Sequence, residues 1–90
     1  MSVLDARLQT ASRYAGGEMQ WRLSKELAFA RRVSHVNGDR YDALLLRALD
    51  ALDAAAARDG AVTNLTVMAV EDMLQPMAED CKKYRLLFVG

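Results

Sequence analysis

The residues able to do chemistry are few. His35 is the only histidine and Cys81 the only cysteine among the 90 residues. A structural zinc site needs several Cys or His ligands, and neither residue has a second one at ligand spacing. His35 falls near the end of a helical pattern, where a cation favours the helix dipole; a cap-like or surface role is the favoured reading. Cys81 sits beside Asp80 and near Glu79. Negative neighbours raise a thiol pKa, which argues against a nucleophile. Carboxylates pair in sequence at Asp50/Asp53, Glu71/Asp72 and Glu79/Asp80. Glycosidase chemistry needs two carboxyls flanking a pocket with separated pKa values. Asp50 and Asp53 fall on the polar side of a helical stripe, and the other two pairs are adjacent residues that cannot face each other on a helix. All three read as solvated. Trp21, Tyr14 and Tyr41 could stack on a sugar ring, but packing between helices is the plainer reading of aromatics. The five methionines read as adaptable core filler. Gly16-Gly17 follows a helical pattern rather than a strand, so it does not make a phosphate loop. No residue of the chain is assigned a catalytic, cofactor-binding or metal-binding role.

The elements that would position these residues are mainly helical. Val3, Leu4, Leu8 and Ala11 share one face of a first helix, with Asp5 near its start. Gly16-Gly17 breaks it. A second helix over residues 18–36 carries Met19, Leu23, Leu27, Ala30 and Val33, with Trp21 and Phe29 off that stripe. Coverage on two sides is expected from this. Asn37-Gly38 stops it, and Asp39 is the expected N-cap of a third helix reaching Arg58. Tyr41, Leu44, Leu45, Ala48, Leu49, Leu52, Ala55 and Ala56 form the clearest apolar stripe of the chain. Asp59-Gly60 ends it. In the fourth helix Leu65, Met68, Ala69, Met73 and Leu74 keep helical spacing, and Thr63 or Asn64 caps it. Pro76 kinks the chain or begins a last section at a first-turn position. Helix is expected to resume to Lys82 or Lys83. Leu86-Leu87-Phe88-Val89 then reads as a short buried strand. The expected fold is mainly α: about four antiparallel-neighbour helices, then one C-terminal β-strand with no partner in the chain.

Twelve basic and twelve acidic side chains cancel. That balance gives no electrostatic case for nucleic acid or a membrane surface. The cluster Lys82, Lys83, Arg85 is too small to change it. Hydrophobic content of 52% with 27% charged fits a folded chain rather than a disordered one. A chain this short buries a modest share of its surface, so an independent fold would be marginal. No export segment and no membrane-length apolar run are apparent, and one cysteine suits a reducing compartment, so a cytoplasmic protein is expected.

Two stretches carry a family resemblance. Asn37-Gly38-Asp39-Arg40-Tyr41-Asp42, the Ala- and Leu-rich helix after it and Asp59-Gly60-Ala61-Val62-Thr63 resemble the leader of bacterial-type α-mannosidases of glycoside hydrolase family 38. The match tightens from Ala69 through Gln75-Pro76-Met77 to Cys81-Lys82-Lys83-Tyr84. The resemblance spans residues 19–90, is closer after Ala61, and includes no catalytic signature. In that family such a helix leads into the first strand of the catalytic domain, here Arg85 to Val89. A His-x-His-x-Asp segment, part of which ligates zinc, follows the strand; this sequence ends at Gly90, directly before that position.

The resemblance implies that residues 1–83 are an N-terminal helical segment and residues 84–90 the first strand of an otherwise absent catalytic α/β domain. The parent would be a zinc-dependent, retaining, exo-acting α-mannosidase acting on α-mannosides, with an Asp nucleophile and a carboxyl general acid. None of these groups maps onto this chain. Its own role would be structural, against the remainder of the catalytic domain and with room for a homo-oligomer interface. The zinc would belong to the parent. The alternative is a small self-contained helical interaction module that dimerises or adds a strand to a partner's sheet.

Overall fold

Ser2 opens the first helix, α1 (Val3–Ser12). Its hydroxyl accepts the Asp5 backbone N–H at 3.1 Å and donates to the Asp5 carboxylate at 2.8 Å. The N-cap hydroxyl thus satisfies one free N–H of the first turn, and the Asp5 carboxylate holds that hydroxyl in place. Four further helices follow among the described residues: α2 (Gly17–Val36), α3 (Asp42–Asp59), α4 (Asn64–Met73) and α5 (Ala78–Val89). A short 3-10 turn, Gln75–Met77, joins the last two, with Pro76 in its first turn, where the missing N–H leaves no bond unmade. The structure is a computed structural model that describes residues 2–89, and the side chains of residues 84–89 lie outside the description.

α2 and α3 form the centre. α1 packs on both, α4 on both, and α5 returns against α2. The fully buried side chains include Leu23, Leu27 and Val33 of α2, Leu45, Leu49 and Leu52 of α3, Val67 and Val70 of α4, and Met77. For α2 and α3 these are the residues of the apolar stripes. The connections are tied to the core rather than hung from it. The Val62 N–H donates to the Tyr14 carbonyl at 3.0 Å, so the α3–α4 connection is pinned beside the α1–α2 connection, with Ala15 and Val62 both buried. The Cα radius of gyration is 12.7 Å, near the roughly 12 Å of a folded single domain of this length. No helix among the described residues is long and apolar enough to cross a membrane.

The structure corrects three expectations and leaves a fourth, the C-terminal strand, unconfirmed. α3 begins at Asp42, not at an Asp39 cap. Gly38 and Asp39 both take left-handed backbone angles, φ 68° and 61°, and the Asp39 N–H turns back to the Ser34 carbonyl at 2.8 Å. Asp39 thus closes the end of α2 instead of opening α3; Asp is among the non-glycine residues that tolerate this region. The apolar face of α4 is also different. Leu74 is buried, as the expected stripe has it, but Val67 and Val70 face the core with it, while Leu65 and Met68 are 78% and 49% exposed. Both stripes have helical spacing, and the one that continues to Met77 across the 3-10 turn meets α2 and α3. α2 is covered on two sides only in part: Phe29 packs at the core margin but Trp21 is 65% exposed.

The unconfirmed expectation concerns the end of the chain. No strand occurs among the described residues, and α5 is helical from Ala78 to Val89, where a strand was expected from Arg85. A single strand has no partner here and would leave its N–H and C=O groups unpaired, whereas a helix pairs them within itself. Gly90, the last residue of that expected strand segment, lies outside the described residues.

Candidate functional site

Several of the residues singled out for chemistry, Tyr14, Tyr41, Asp53, Glu71 and Asp80, end up in the joints between helices. The densest joint lies at the corner where α2 turns into α3. Arg31 of α2 reaches three carboxylates: Asp5 at 2.9 Å through Nε, Asp39 at 3.1 Å and Asp42 at 3.0 Å through Nη1. Ser34, one turn further and fully buried, donates its hydroxyl to Asp42 at 2.8 Å and accepts the Tyr41 N–H at 3.1 Å. The planar guanidinium carries five donors in a fixed fork, which suits several carboxylates at once. α1, the turn and the start of α3 are therefore held to one side chain of α2.

From this corner the network continues to α5. Tyr41 is buried, and its hydroxyl donates to the Asp80 carboxylate. That bond holds the phenol above its ordinary pKa, because losing the proton would remove the donor beside a carboxylate. Tyr41→Phe is expected to loosen α5 selectively. Amide exchange at residues 78–83 should become severalfold faster with α1 to α3 unchanged. Equal protection in the two proteins would remove Tyr41 as the α5 anchor.

A second joint links α1 to α3. Arg7 Nη2 lies 3.2 Å from Asp50 and 2.9 Å from Asp53, and the Tyr14 hydroxyl donates to Asp53 at 2.9 Å. Asp50 remains largely exposed, as the sequence indicates, but Asp53 is drawn into an interhelical clasp. A third joint links α2 to α4: Arg22 reaches Glu71 at 2.5 Å and Asn64 at 3.4 Å. Glu71 is therefore half-buried and paired rather than solvated, while Asp72 and Glu79 are exposed. His35 sits on the last turn of α2, exposed, with Nδ1 3.4 Å from Asp39. Cys81 packs half-buried at the margin of the core.

Among the described residues no three His, Cys, Asp or Glu side chains converge as metal ligands. Compared with family models, with curated proteins and with solved structures, the chain matches none. At the α2–α3 corner Asp39 and Asp42 lie 8 and 11 positions from Arg31, but the bonds that bring in α1, α4 and α5 were missed in the sequence because their partners lie 26 to 49 positions apart. Nothing in local spacing joins Arg7 to Asp53 or Tyr41 to Asp80.

The acidic partners make stability pH-dependent. Asp5 is held below its ordinary pKa by the Ser2 hydroxyl and then by Arg31; Asp39 is held below it by Arg31 and then by His35. A carboxyl whose folded pKa is depressed stabilises the fold above its unfolded value and loses that contribution as pH falls through the folded value. The urea midpoint should hold steady down to about pH 5 and fall below about pH 4. Arg31→Met should flatten that fall. A midpoint that stays constant from neutrality to about pH 3 would rule the network out as a source of stability.

Proposed function

We propose that this chain is the N-terminal helical unit of a family 38 type α-mannosidase, and that its role is structural. The observation behind the reading is that the two resembling stretches, far apart in sequence, are bonded to each other. Tyr41, from the Asn37–Asp42 stretch, holds Asp80, from the stretch ending at Tyr84. The turn that opens α3 thus sets where α5 starts, and α5 is the element that would lead into the catalytic domain. In this reading residues 85–89 become the first strand once neighbouring strands are there to pair with, which exchanges helix bonds for sheet bonds. The catalytic carboxylates and the zinc would come from residues outside these 90, and the setting would be cytoplasmic. This unit would cover the catalytic domain.

In-frame codons after Gly90 should encode a His-x-His-x-Asp segment. The extended protein should release mannose from an aryl α-mannoside with retention, and a chelator should abolish that activity. A locus with no such segment in frame ends this reading. One observation favours the alternative, an interaction module that needs no enzyme: large apolar side chains stand in water on α2 and α4. A cooperative unfolding transition of the 90-residue chain, as a dimer, supports that alternative.

A further inference from the structure

Three of the exposed large apolar side chains, Trp21, Leu65 and Met68, lie on the two helices that one joint links. Trp21 immediately precedes Arg22, which grips Asn64 and Glu71 of α4. Met68 sits on α4 between those two residues, its sulfur 3.6 Å from the Asn64 amide nitrogen. Leu65 adjoins it in sequence and is the most exposed apolar residue of α4. Exposed tryptophan and methionine on the two helices joined through Arg22 are the composition of an interface centre rather than of free surface.

The charges around Trp21 indicate what covers it. Glu18, Trp21, Arg22 and Lys25 follow at i, i+3, i+4 and i+7 on α2, so they share one face. Arg22 is neutralised by Glu71. Glu18 has no cation partner among the described residues, and Lys25 Nζ lies 4.2 Å over the Trp21 ring. One unpaired acid and one base therefore flank the tryptophan, about 10 Å apart along the helix. This pattern complements itself when reversed. A second α2 crossing antiparallel, about a two-fold axis between Trp21 and Arg22, sets Glu18 of each copy against Lys25 of the other. It also sets each Trp21 against the opposite Arg22. Such an interface is isologous and closes after two copies.

We propose that the α2–α4 face centred on Trp21 binds a second copy of this chain through that two-fold crossing. The proposal stands whether or not the mannosidase reading holds. Sedimentation of the 90-residue chain across a concentration series should show a monomer–dimer equilibrium, with Trp21 fluorescence shifting to the blue as the dimer forms. Trp21→Ser, a change at an exposed position, should leave the helical spectrum intact and give a monomer. Glu18→Lys and Lys25→Glu should each weaken self-association about tenfold, because like charges then meet at both ends of the axis. Mixing the two single variants should restore a dimer, now a heterodimer, since each Lys again meets a Glu. A wild-type chain monomeric at every concentration overturns the proposal. So does a dimer that survives Trp21→Ser, or a mixture of the charge variants that stays monomeric. In those cases the face belongs to a different partner or to further residues of a longer protein.

Discussion

Leu49→Ala should cost this chain about 2–5 kcal/mol, read as a fall in the urea midpoint of its helical circular dichroism with an unchanged slope. Leu49 has no exposed surface and lies in the middle of α3, the helix with the longest buried stripe. Truncating a buried leucine costs about 2–5 kcal/mol, because the lost transfer energy is joined by the cavity left behind. A domain of 90 residues has about 4–14 kcal/mol in total at the usual stability per residue. The site has little room to collapse, since Leu45, Ala48 and Leu52 around it are also fully buried. The matched control is Leu65→Ala on α4. That leucine is 78% exposed, so its truncation should change stability by no more than about 0.5 kcal/mol. The pair separates the two apolar stripes of α4 as well: a large loss at Leu65 would mean that the helix turns its other face to the core.

Ser34→Ala should have the second largest effect, about 1–3 kcal/mol, through polar groups rather than packing. Ser34 is the one buried polar residue among those described, and its hydroxyl is used twice. It accepts the buried Tyr41 N–H and donates to Asp42. Removing it leaves that N–H without a partner away from water and takes a donor from a carboxylate. Asp42 keeps Arg31, so the N–H of Tyr41 bears most of the cost. Exchange of the Tyr41 amide is the specific readout: slow in the parent, fast in Ser34→Ala. Loss of stability with that amide still protected would place the cost elsewhere. Ser24→Ala, at an exposed position on the same helix, should be within about 0.5 kcal/mol of neutral.

The largest difference between sequence and structure lies in α4. Leu65, Met68 and Met73 follow helical spacing, and so do Val67, Val70 and Leu74. Two apolar stripes on one short helix are indistinguishable by periodicity, because period specifies that a face exists and not which face meets a neighbour. Trp21 shows the same limit from the other side. An aromatic residue is usually buried, but whether a second layer covers α2 at that point depends on elements far away in the chain. Asp39 looks like a helix cap because caps and left-handed closing residues draw on the same short polar side chains.

By itself, the sequence determined that the chain is mainly helical, where α2 runs and where α3 ends, and which of their residues make the core. Those properties rest on local spacing and on stop signals such as Asn37-Gly38 and Asp59-Gly60, where Gly60 takes φ 77°. It also showed that charge is balanced and that His35 and Cys81 are single residues of their kind. The tertiary structure alone decided which face of α4 is buried and that Trp21 faces water. It also decided that Arg31, Arg7 and Tyr41 each tie helices together through carboxylates on distant segments. The physical reason is one of range. Helix formation is a contest among neighbours three and four residues apart, whereas an ion pair or a covered face needs two segments brought together by the packing of the whole bundle.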